Sequence, residues 1–209
     1  MGDFGRCSLS TTSYSTTTGT KTLLRVQKLT LPEAGRVTSV KFRVYMSGAP
    51  FCTVDNGKAL IYDDSGGAPN ALKAVSGATT WYKADGKQWV EFTFPGGVEL
   101  DAGDYWFGVV NELYCGYYAD ILTAGGSGFT VGGSGTDWYN DPPTTFPGGA
   151  STWATIIYAC ATYEVTSNTY PVGLLKKGLA SGYHCFMNAY INAKIAGYDP
   201  LKLPDGTPL

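Results

Sequence analysis

The sequence predicts an all-β fold, an antiparallel β-sandwich with an extended N-terminal arm and an irregular C-terminal appendage. Short apolar runs with a period of two residues recur along the chain, and this is the period of a strand with one buried face. Gly, Pro, Asp and Asn separate these runs at each break between Lys58 and Val110. The composition agrees, since 28 glycines and 15 tyrosines accompany only 15% charged residues.

The first two predicted strands begin at Leu23 and Val37. In the second strand, Val40, Phe42 and Val44 alternate with charged or polar residues and therefore share one face. We expect that face to lie in the core and the opposite face to contact water.

Further strands are predicted wherever an apolar run lies between turn formers. They are residues 59–62, 71–75, 78–82, 88–94, 105–111, 113–118 and 153–165. The last run is the longest and most apolar, as expected of a strand in the centre of a sheet. Gly66 and Gly67 are predicted to form a tight turn, because glycine adopts positive φ readily. Tyr105 and Trp106 are predicted to point to opposite faces of their strand.

Residues 123–149 interrupt the pattern and are predicted to form a long loop, which contains GGSG twice and then DWYNDPPTTFPGG. Loops of this length are usually functional or disordered, so this one is the leading candidate for a contact surface. Its aromatic rings could stack on a sugar whose hydroxyls bond to the neighbouring polar groups. Alternatively, the rings bury the loop against the sandwich or a neighbour. The candidate ligand-binding residues are Trp138, Tyr139, Phe146, Asp137 and Asn140.

Three regions are predicted along the chain. Residues 1–20 form a Ser/Thr-rich arm or edge strand, residues 21–165 form the sandwich, and residues 166–209 form a docking segment with a short helix near 186–195. A segment of some forty residues is near the lower limit for folding alone, so the last region is expected to dock on another surface. Its predicted assembly contacts are Leu174, Leu175, Phe186, Tyr190, Leu201 and Leu203.

Charge and hydropathy argue against several classes of partner. The net charge is −2 and the charged residues are scattered, so no basic stripe invites a nucleic acid. The N-terminal residues lack the basic start and apolar stretch of a secretory signal, and the Ser/Thr tract is too polar to span a membrane. We therefore expect a protein that is made in the cytoplasm and binds neither nucleic acid nor membrane.

The cysteines predict neither zinc binding nor redox catalysis. Cys7, Cys52, Cys115, Cys160 and Cys185 are widely separated, without a C-x-x-C pair. Most of them are expected to be buried thiols, because free cysteine behaves as a small hydrophobe. A disulfide between neighbouring strands, such as Cys115 with Cys160, stays open as an alternative.

Recognisable catalytic groupings are missing from the sequence. His184 is the only histidine, and neither a G-x-S-x-G nor an H-E-x-x-H motif occurs. We therefore predict no enzyme activity, no cofactor and no metal. Oxygen atoms of Asp55, Asn56, Asp63 and Asp64 could bind Ca²⁺, but turns stabilised by Asp and Asn side chains explain these residues more simply.

The runs ALIY at 59–62, DDSGGAPNAL at 63–72 and LDAGDYWFGVV at 100–110 resemble a β-sandwich module of surface-exposed proteins from microbes and their viruses. This jelly-roll, carbohydrate-binding-like family recurs in the tail, fibre and decoration proteins of virions and in cell-wall proteins. The resemblance spans residues 23–165 and brings no catalytic residue. It implies a structural virion protein, assembled in the host cytoplasm, whose partners are its own copies and other virion proteins. The alternative is a glycan-binding module of a host-recognition or cell-surface protein.

Overall fold

The structure, a computed structural model, describes residues 1–8, 14–15, 22–46, 53–113, 117–132 and 136–166. These residues form twelve β-strands and one short 3₁₀-helix, Lys83–Asp85, which confirms the all-β prediction. Met1–Thr166 forms one compact unit.

The strands pair antiparallel throughout. In chain order they are β1 Gly2–Gly5, β2 Tyr14–Ser15, β3 Leu23–Leu31, β4 Gly35–Met46, β5 Val54–Ser65, β6 Ala68–Val75, β7 Thr79–Tyr82, β8 Gln88–Leu100, β9 Gly103–Asn111, β10 Tyr117–Gly132, β11 Ser151–Ile157 and β12 Ala159–Val165.

Two sheets pack on each other to form a sandwich. In the first sheet β4 lies between β12 and β8, and β1 pairs with the outer side of β12. In the second sheet β9 lies between β3 and β5, with β10 beyond β3 and with β6 and β7 along β5. The long strand β10 belongs to both sheets, because its first residues pair with β4 and its later residues pair with β3 and β11.

The core between the sheets follows the predicted alternation of β4. Val40, Phe42 and Val44 are buried and point to the second sheet, as the sequence predicts. They pack with Phe92 of β8 and Phe107 of β9. This face supplies the main hydrophobic stabilisation of the sandwich.

Strands β5 and β9 are buried on both faces. Ile61 and Phe107 point into the core between the sheets, whereas Tyr62 and Trp106 point to the outer face of the second sheet. Tyr105 packs against the inner core, so Tyr105 and Trp106 lie on opposite faces as predicted. Burial on both faces explains why residues 59–62 of β5 and 105–110 of β9 form nearly continuous apolar runs.

The turn between β5 and β6 also agrees with its prediction. Gly66 and Gly67 have φ angles of 64° and 86°, a region that residues with a Cβ rarely adopt.

The predicted long loop is wrong over its first part. β10 continues to Gly132 through the first GGSG run, so only residues after it leave the sheet. Glycines hide the alternation in the sequence, and the register shifts between Thr123 and Gly128. The strand predicted at 113–118 is also displaced, because Leu113 lies in a bend and β10 begins at Tyr117.

The single central strand predicted at 153–165 is wrong as well. The run divides at Tyr158 into β11, which pairs with β10, and β12, which pairs with β4 and β1. The backbone carbonyl of Tyr158 accepts a hydrogen bond from the N–H of Arg43 at 3.0 Å. The apolar run is therefore shared by two sheets and does not fill the centre of one.

The sandwich begins earlier than the predicted residue 21. β1 is an edge strand, one of the two forms expected for the N-terminal region, and its Phe4 is only 5% exposed. The first strand is therefore part of the core and does not extend from it.

Candidate functional site

The aromatic residues predicted to bind a sugar lie in the segment 136–149, which covers the outer face of the second sheet. Trp138, Tyr139 and Phe146 are 6%, 8% and 7% exposed. Phe146 packs edge-on against Tyr62, with ring centroids 5.3 Å apart. The packing alternative therefore describes these three residues, and the stacking alternative lacks the open ring faces that it requires.

Side chains of β5 hold this segment in place. Lys58 donates from Nζ to the backbone carbonyl of Tyr139 at 2.9 Å, and its Nζ lies 4.3 Å from the centroid of that ring. The hydroxyl of Tyr62 donates to the carbonyl of Pro143 at 3.0 Å. Burial raises the pKa of Tyr62, so this hydroxyl keeps its proton and stays a donor.

The two polar candidates of the segment bind each other. Asn140 donates from its backbone N–H and from Nδ2 to the carboxylate of Asp137, at 3.3 and 3.0 Å. Such a contact stabilises a local turn. The predicted sugar-binding set is thus close in space but serves to fold the segment and dock it.

An open cleft of about 520 Å³ lies at the C-terminal end of β5, beside the β5–β6 hairpin and the start of β9. No pattern in the sequence groups these residues into a site, because they come from separate runs of the chain. The cleft is lined by Asp63, Asp64, Lys73, Ala102, Gly103, Asp104 and Tyr105.

Asp64, in the wall of the cleft, accepts hydrogen bonds from two different strands or turns. Its Oδ1 accepts a hydrogen bond from Nε1 of the buried Trp106 at 2.8 Å, and its Oδ2 accepts one from the N–H of Gly67 at 3.0 Å. Lys28 lies 3.8 Å from the same carboxylate and 5.3 Å from the centroid of the Trp106 ring. One carboxylate thereby fixes both the hairpin turn and the indole.

The other two carboxylates of the cleft are also engaged. Asp104 accepts from the Thr30 hydroxyl at 2.6 Å and from Lys28 at 3.2 Å, and these bonds lower the pKa of Asp104. Asp63 accepts from the N–H of Ala71 at 2.6 Å and lies 3.6 Å from Lys73. The cleft therefore presents paired charges and the half-buried ring of Tyr105.

The four oxygen-bearing residues considered for Ca²⁺ do not come together. Asp55 and Asn56 begin β5, whereas Asp63 and Asp64 end it, roughly 25 Å away at the rise of an extended strand. The bond from the N–H of Gly67 to Asp64 is a turn contact of the kind that the sequence offers as the simpler explanation. The turn explanation does not hold for Asp55, which lies within β5 and accepts from the N–H of the next residue, Asn56.

Asp55 forms a buried polar network that the sequence did not reveal. It is 1% exposed and accepts from Nδ2 of Asn111 at 3.0 Å and from the N–H of Leu113 at 3.1 Å. Burial raises the pKa of its carboxyl, against the opposing effect of these hydrogen bonds. The network ties the start of β5 to the end of β9.

A disulfide joins the two ends of the sandwich. Cys7 bonds to Cys160, across 153 residues of chain. The expectation of a free thiol is wrong for both residues, and so is the suggested pairing of Cys160 with Cys115. The antiparallel pairing of β1 with β12 places Gly5 opposite Cys160 and so brings Cys7 beside it. No local signal in the sequence indicates a contact over such a separation.

Several predicted residues lie outside the described part of the chain. These are the candidate assembly contacts Leu174, Leu175, Phe186, Tyr190, Leu201 and Leu203, together with His184, Cys52, Cys115 and Cys185. In the described part, the structure contains no helix with the length and apolar character needed to cross a bilayer. Comparison with protein-family models, curated proteins and solved structures finds no match for this chain.

Proposed function

We propose that this protein is a non-enzymatic structural protein of a virion, a capsid decoration, fibre or tail component that acts through contacts with its own copies and with other virion proteins. The proposal rests on the observation that carboxylates of the sandwich form hydrogen bonds that hold its own structure together. Asp55, Asp64 and Asp104 each hold strands, turns or buried side chains together. Such use is expected of a rigid building block, whereas a catalytic acid needs access to a substrate.

The disulfide and the sequence resemblance support the same proposal. Disulfides persist in oxidising surroundings, which include the surfaces of virions and of cells. The Cys7–Cys160 bond suits a protein that is assembled in the host cytoplasm and then exposed. The runs that resemble virion and surface modules form β5, β6 and β9, the strands around the cleft.

Removal of residues 167–209 tests the proposed route of assembly. The compact unit Met1–Thr166 is expected to remain soluble and folded, with an unchanged thermal unfolding profile, but to lose incorporation into particles. The full-length chain is the control. Incorporation of the shortened chain at full stoichiometry would contradict the role of the C-terminal segment, and absence of the full-length chain from purified particles would contradict the virion assignment.

A glycan-binding module is the second candidate, and the cleft is the observation that favours it. Paired carboxylate and ammonium groups beside a half-buried Tyr105 ring resemble the polar and aromatic lining that sugars require. Tyr105→Ala is expected to reduce binding on a glycan array, whereas Tyr82→Ala, at an exposed tyrosine of β7, should leave it unchanged. Failure of the intact protein to bind any glycan would reject this candidate.

A further inference from the structure

The edge of β12 is a groove that fits the sequence of β1 closely. Gly2–Gly5 pairs antiparallel with Cys160–Tyr163. The ring of Phe4 enters the core, where its centroid lies 5.8 Å from that of Phe107 and 5.6 Å from that of Tyr163, edge-on in both cases. Phe4 therefore acts as a knob that fills a space between the sheets.

The glycines on either side of this knob are required by the groove. A Cβ on Gly2 would lie 2.8 Å from the Tyr163 ring. A Cβ on Gly5, whose φ is 96°, would lie 2.5 Å from the carbonyl oxygen of Ala159. The groove thus selects a strand with glycine, phenylalanine and glycine at these positions, which is a more specific requirement than an ordinary sheet edge imposes.

Polar contacts and the disulfide complete the attachment. The Thr162 hydroxyl donates to Asp3 at 2.8 Å, and the N–H of Arg6 donates to the carbonyl of Ala159 at 2.7 Å. The exposed Cys7 is bonded to Cys160. A strand of four residues has few ladder hydrogen bonds, so this covalent bond is a major part of what retains it.

We propose that this groove is a strand-exchange site, in which Gly2–Cys7 of a second copy of the chain replaces the resident strand and the Cys7–Cys160 disulfide then joins the two copies. Addition of a strand to a sheet edge is a common mode of protein recognition. Residues 8–13 join the exchanged segment to β2, and a chain of that length spans at most roughly 21 Å when extended.

A low-molecular-weight thiol is the co-reactant of the exchange. Its thiolate attacks Sγ of Cys7, forms a mixed disulfide there, and releases the thiolate of Cys160. After the strands exchange, the Cys160 thiolate of one copy attacks the mixed disulfide on Cys7 of the other copy. The new Cys7–Cys160 bond forms as the small thiol leaves as a thiolate and takes up a proton from water. No net oxidation or reduction occurs, since one disulfide is broken and one is made.

The direct test uses the wild-type chain in two isotopic forms. Light and ¹⁵N-labelled protein are mixed at high concentration with a catalytic amount of reduced glutathione, quenched in acid and digested without reduction. Mass spectrometry then measures the peptides in which Cys7 is bridged to Cys160. We expect bridges between light and heavy peptides to approach the proportion given by random pairing. Bridges that stay all-light or all-heavy, although alkylation shows that glutathione opened them, would overturn the proposal.

A complementary pair of variants tests whether strand docking guides the bond. The Cys160→Ser donor is first converted with oxidised glutathione to the mixed disulfide at Cys7, and the Cys7→Ser acceptor supplies the free Cys160 thiolate. Neither variant can form the bond within one chain, so a Cys7–Cys160 bridge between them, formed as glutathione leaves, requires exchange. Adding Phe4→Ala to the donor should reduce the bridged yield at least about tenfold, because the knob is lost. Adding Arg6→Ala, which keeps the backbone contact, should not. A bridged yield that is the same with and without Phe4→Ala in the donor would overturn the proposal.

The inference extends the proposed assembly function, but the two can fail separately. Mixed bridges in a protein that never enters a particle would retain the exchange site and reject the virion assignment. Particles that contain the protein but in which every Cys7–Cys160 bridge stays within one chain would retain the virion assignment and reject the exchange site.

Discussion

A single hydrogen bond at Trp106 links the cleft to the hydrophobic cluster beneath it. The indole is fully buried, and Asp64 accepts its N–H at 2.8 Å. Asp64→Ala should lower the free energy of unfolding by about 1–3 kcal/mol, because a buried donor loses its acceptor. Asp101→Ala, at an exposed side chain near the cleft, is the matched control and should change little. Urea unfolding of both variants measures the difference.

The same bond can be separated from other effects of Asp64 by a double-mutant cycle. In a Trp106→Phe background the donor is already absent, so Asp64→Ala should cost less there than in the wild type. Equal costs in the two backgrounds would show that the bond contributes nothing to stability.

Asp104 predicts a dependence of stability on pH. The hydrogen bond from Thr30, together with Lys28, lowers the pKa of its carboxyl below the ordinary value of 3.8. Its contribution to stability is therefore fully present above the unfolded-state pKa and is lost as the pH falls through the lower, folded-state pKa. The contribution should stay below about 1 kcal/mol, because the carboxylate is partly exposed.

The comparison with Asp104→Asn isolates this effect. Unfolding free energies of wild type and variant should differ at pH 7 and converge as the pH falls through that range. A difference that stays constant down to the lowest pH at which both fold would contradict the assignment.

Single residues were predictable from the sequence where burial repeats with the period of a strand. Val40, Phe42 and Val44 follow that rule and lie in the core. The partners of Cys7 and Asp55 could not be predicted, since Cys160 and Asn111 are distant in the sequence and meet only through strand pairing. Period-two patterning defines which face of a strand is buried, but it does not define which strand is its neighbour.

The segment 136–149 behaves as a cover over the second sheet. Phe146 is buried against Tyr62, and backbone bonds join Leu72 to Thr144 and Phe146 to Asn70, at 2.8 and 2.7 Å. Phe146→Ala should therefore lower stability by about 3–5 kcal/mol. Thr145→Ala, at an exposed neighbour, should have little effect.

Limited proteolysis complements the unfolding measurement for this segment. Cleavage within 136–149 should become faster in Phe146→Ala, because the cover opens more often. If Phe146→Ala matched Thr145→Ala in both stability and cleavage rate, the segment would not be held by its aromatic anchor.

Elements were predictable where alternating side chains mark them and were misassigned where glycine replaces those side chains. β4 and β9 are predicted by their patterns. Only the first two residues of β10 lie in a predicted strand, and its part from Thr123 onward was predicted as a loop, because the glycines of the GGSG run interrupt the alternation. The sequence predicts that the aromatic residues of the segment 136–149 form a contact surface. Whether they bind a ligand or pack against the sandwich depends on whether an apolar sheet face lies beneath them, and the sequence does not show that face.

The sandwich contains two separate clusters of buried hydrophobic residues, whereas two sheets packed face to face need only one. One cluster lies between the two sheets, and a second lies on the outer face of β5 and β9 under the segment 136–149. Composition and periodicity predicted the class of fold. The order of strands and the second cluster could not be predicted, because both depend on contacts between distant parts of the chain.

The Cys7–Cys160 disulfide closes nearly the whole sandwich into one covalent loop of 153 residues in sequence separation. A crosslink of this span restricts the unfolded chain strongly, so Cys7→Ser should lower the unfolding free energy by about 2–5 kcal/mol. Thermal unfolding with and without dithiothreitol measures the same effect in the wild type. The reductant should lower the Tm of the wild type but change that of the Cys7→Ser/Cys160→Ser variant little, which separates this bond from the other cysteines. An equal response of both proteins to the reductant would show that β1 is held in its groove by packing alone.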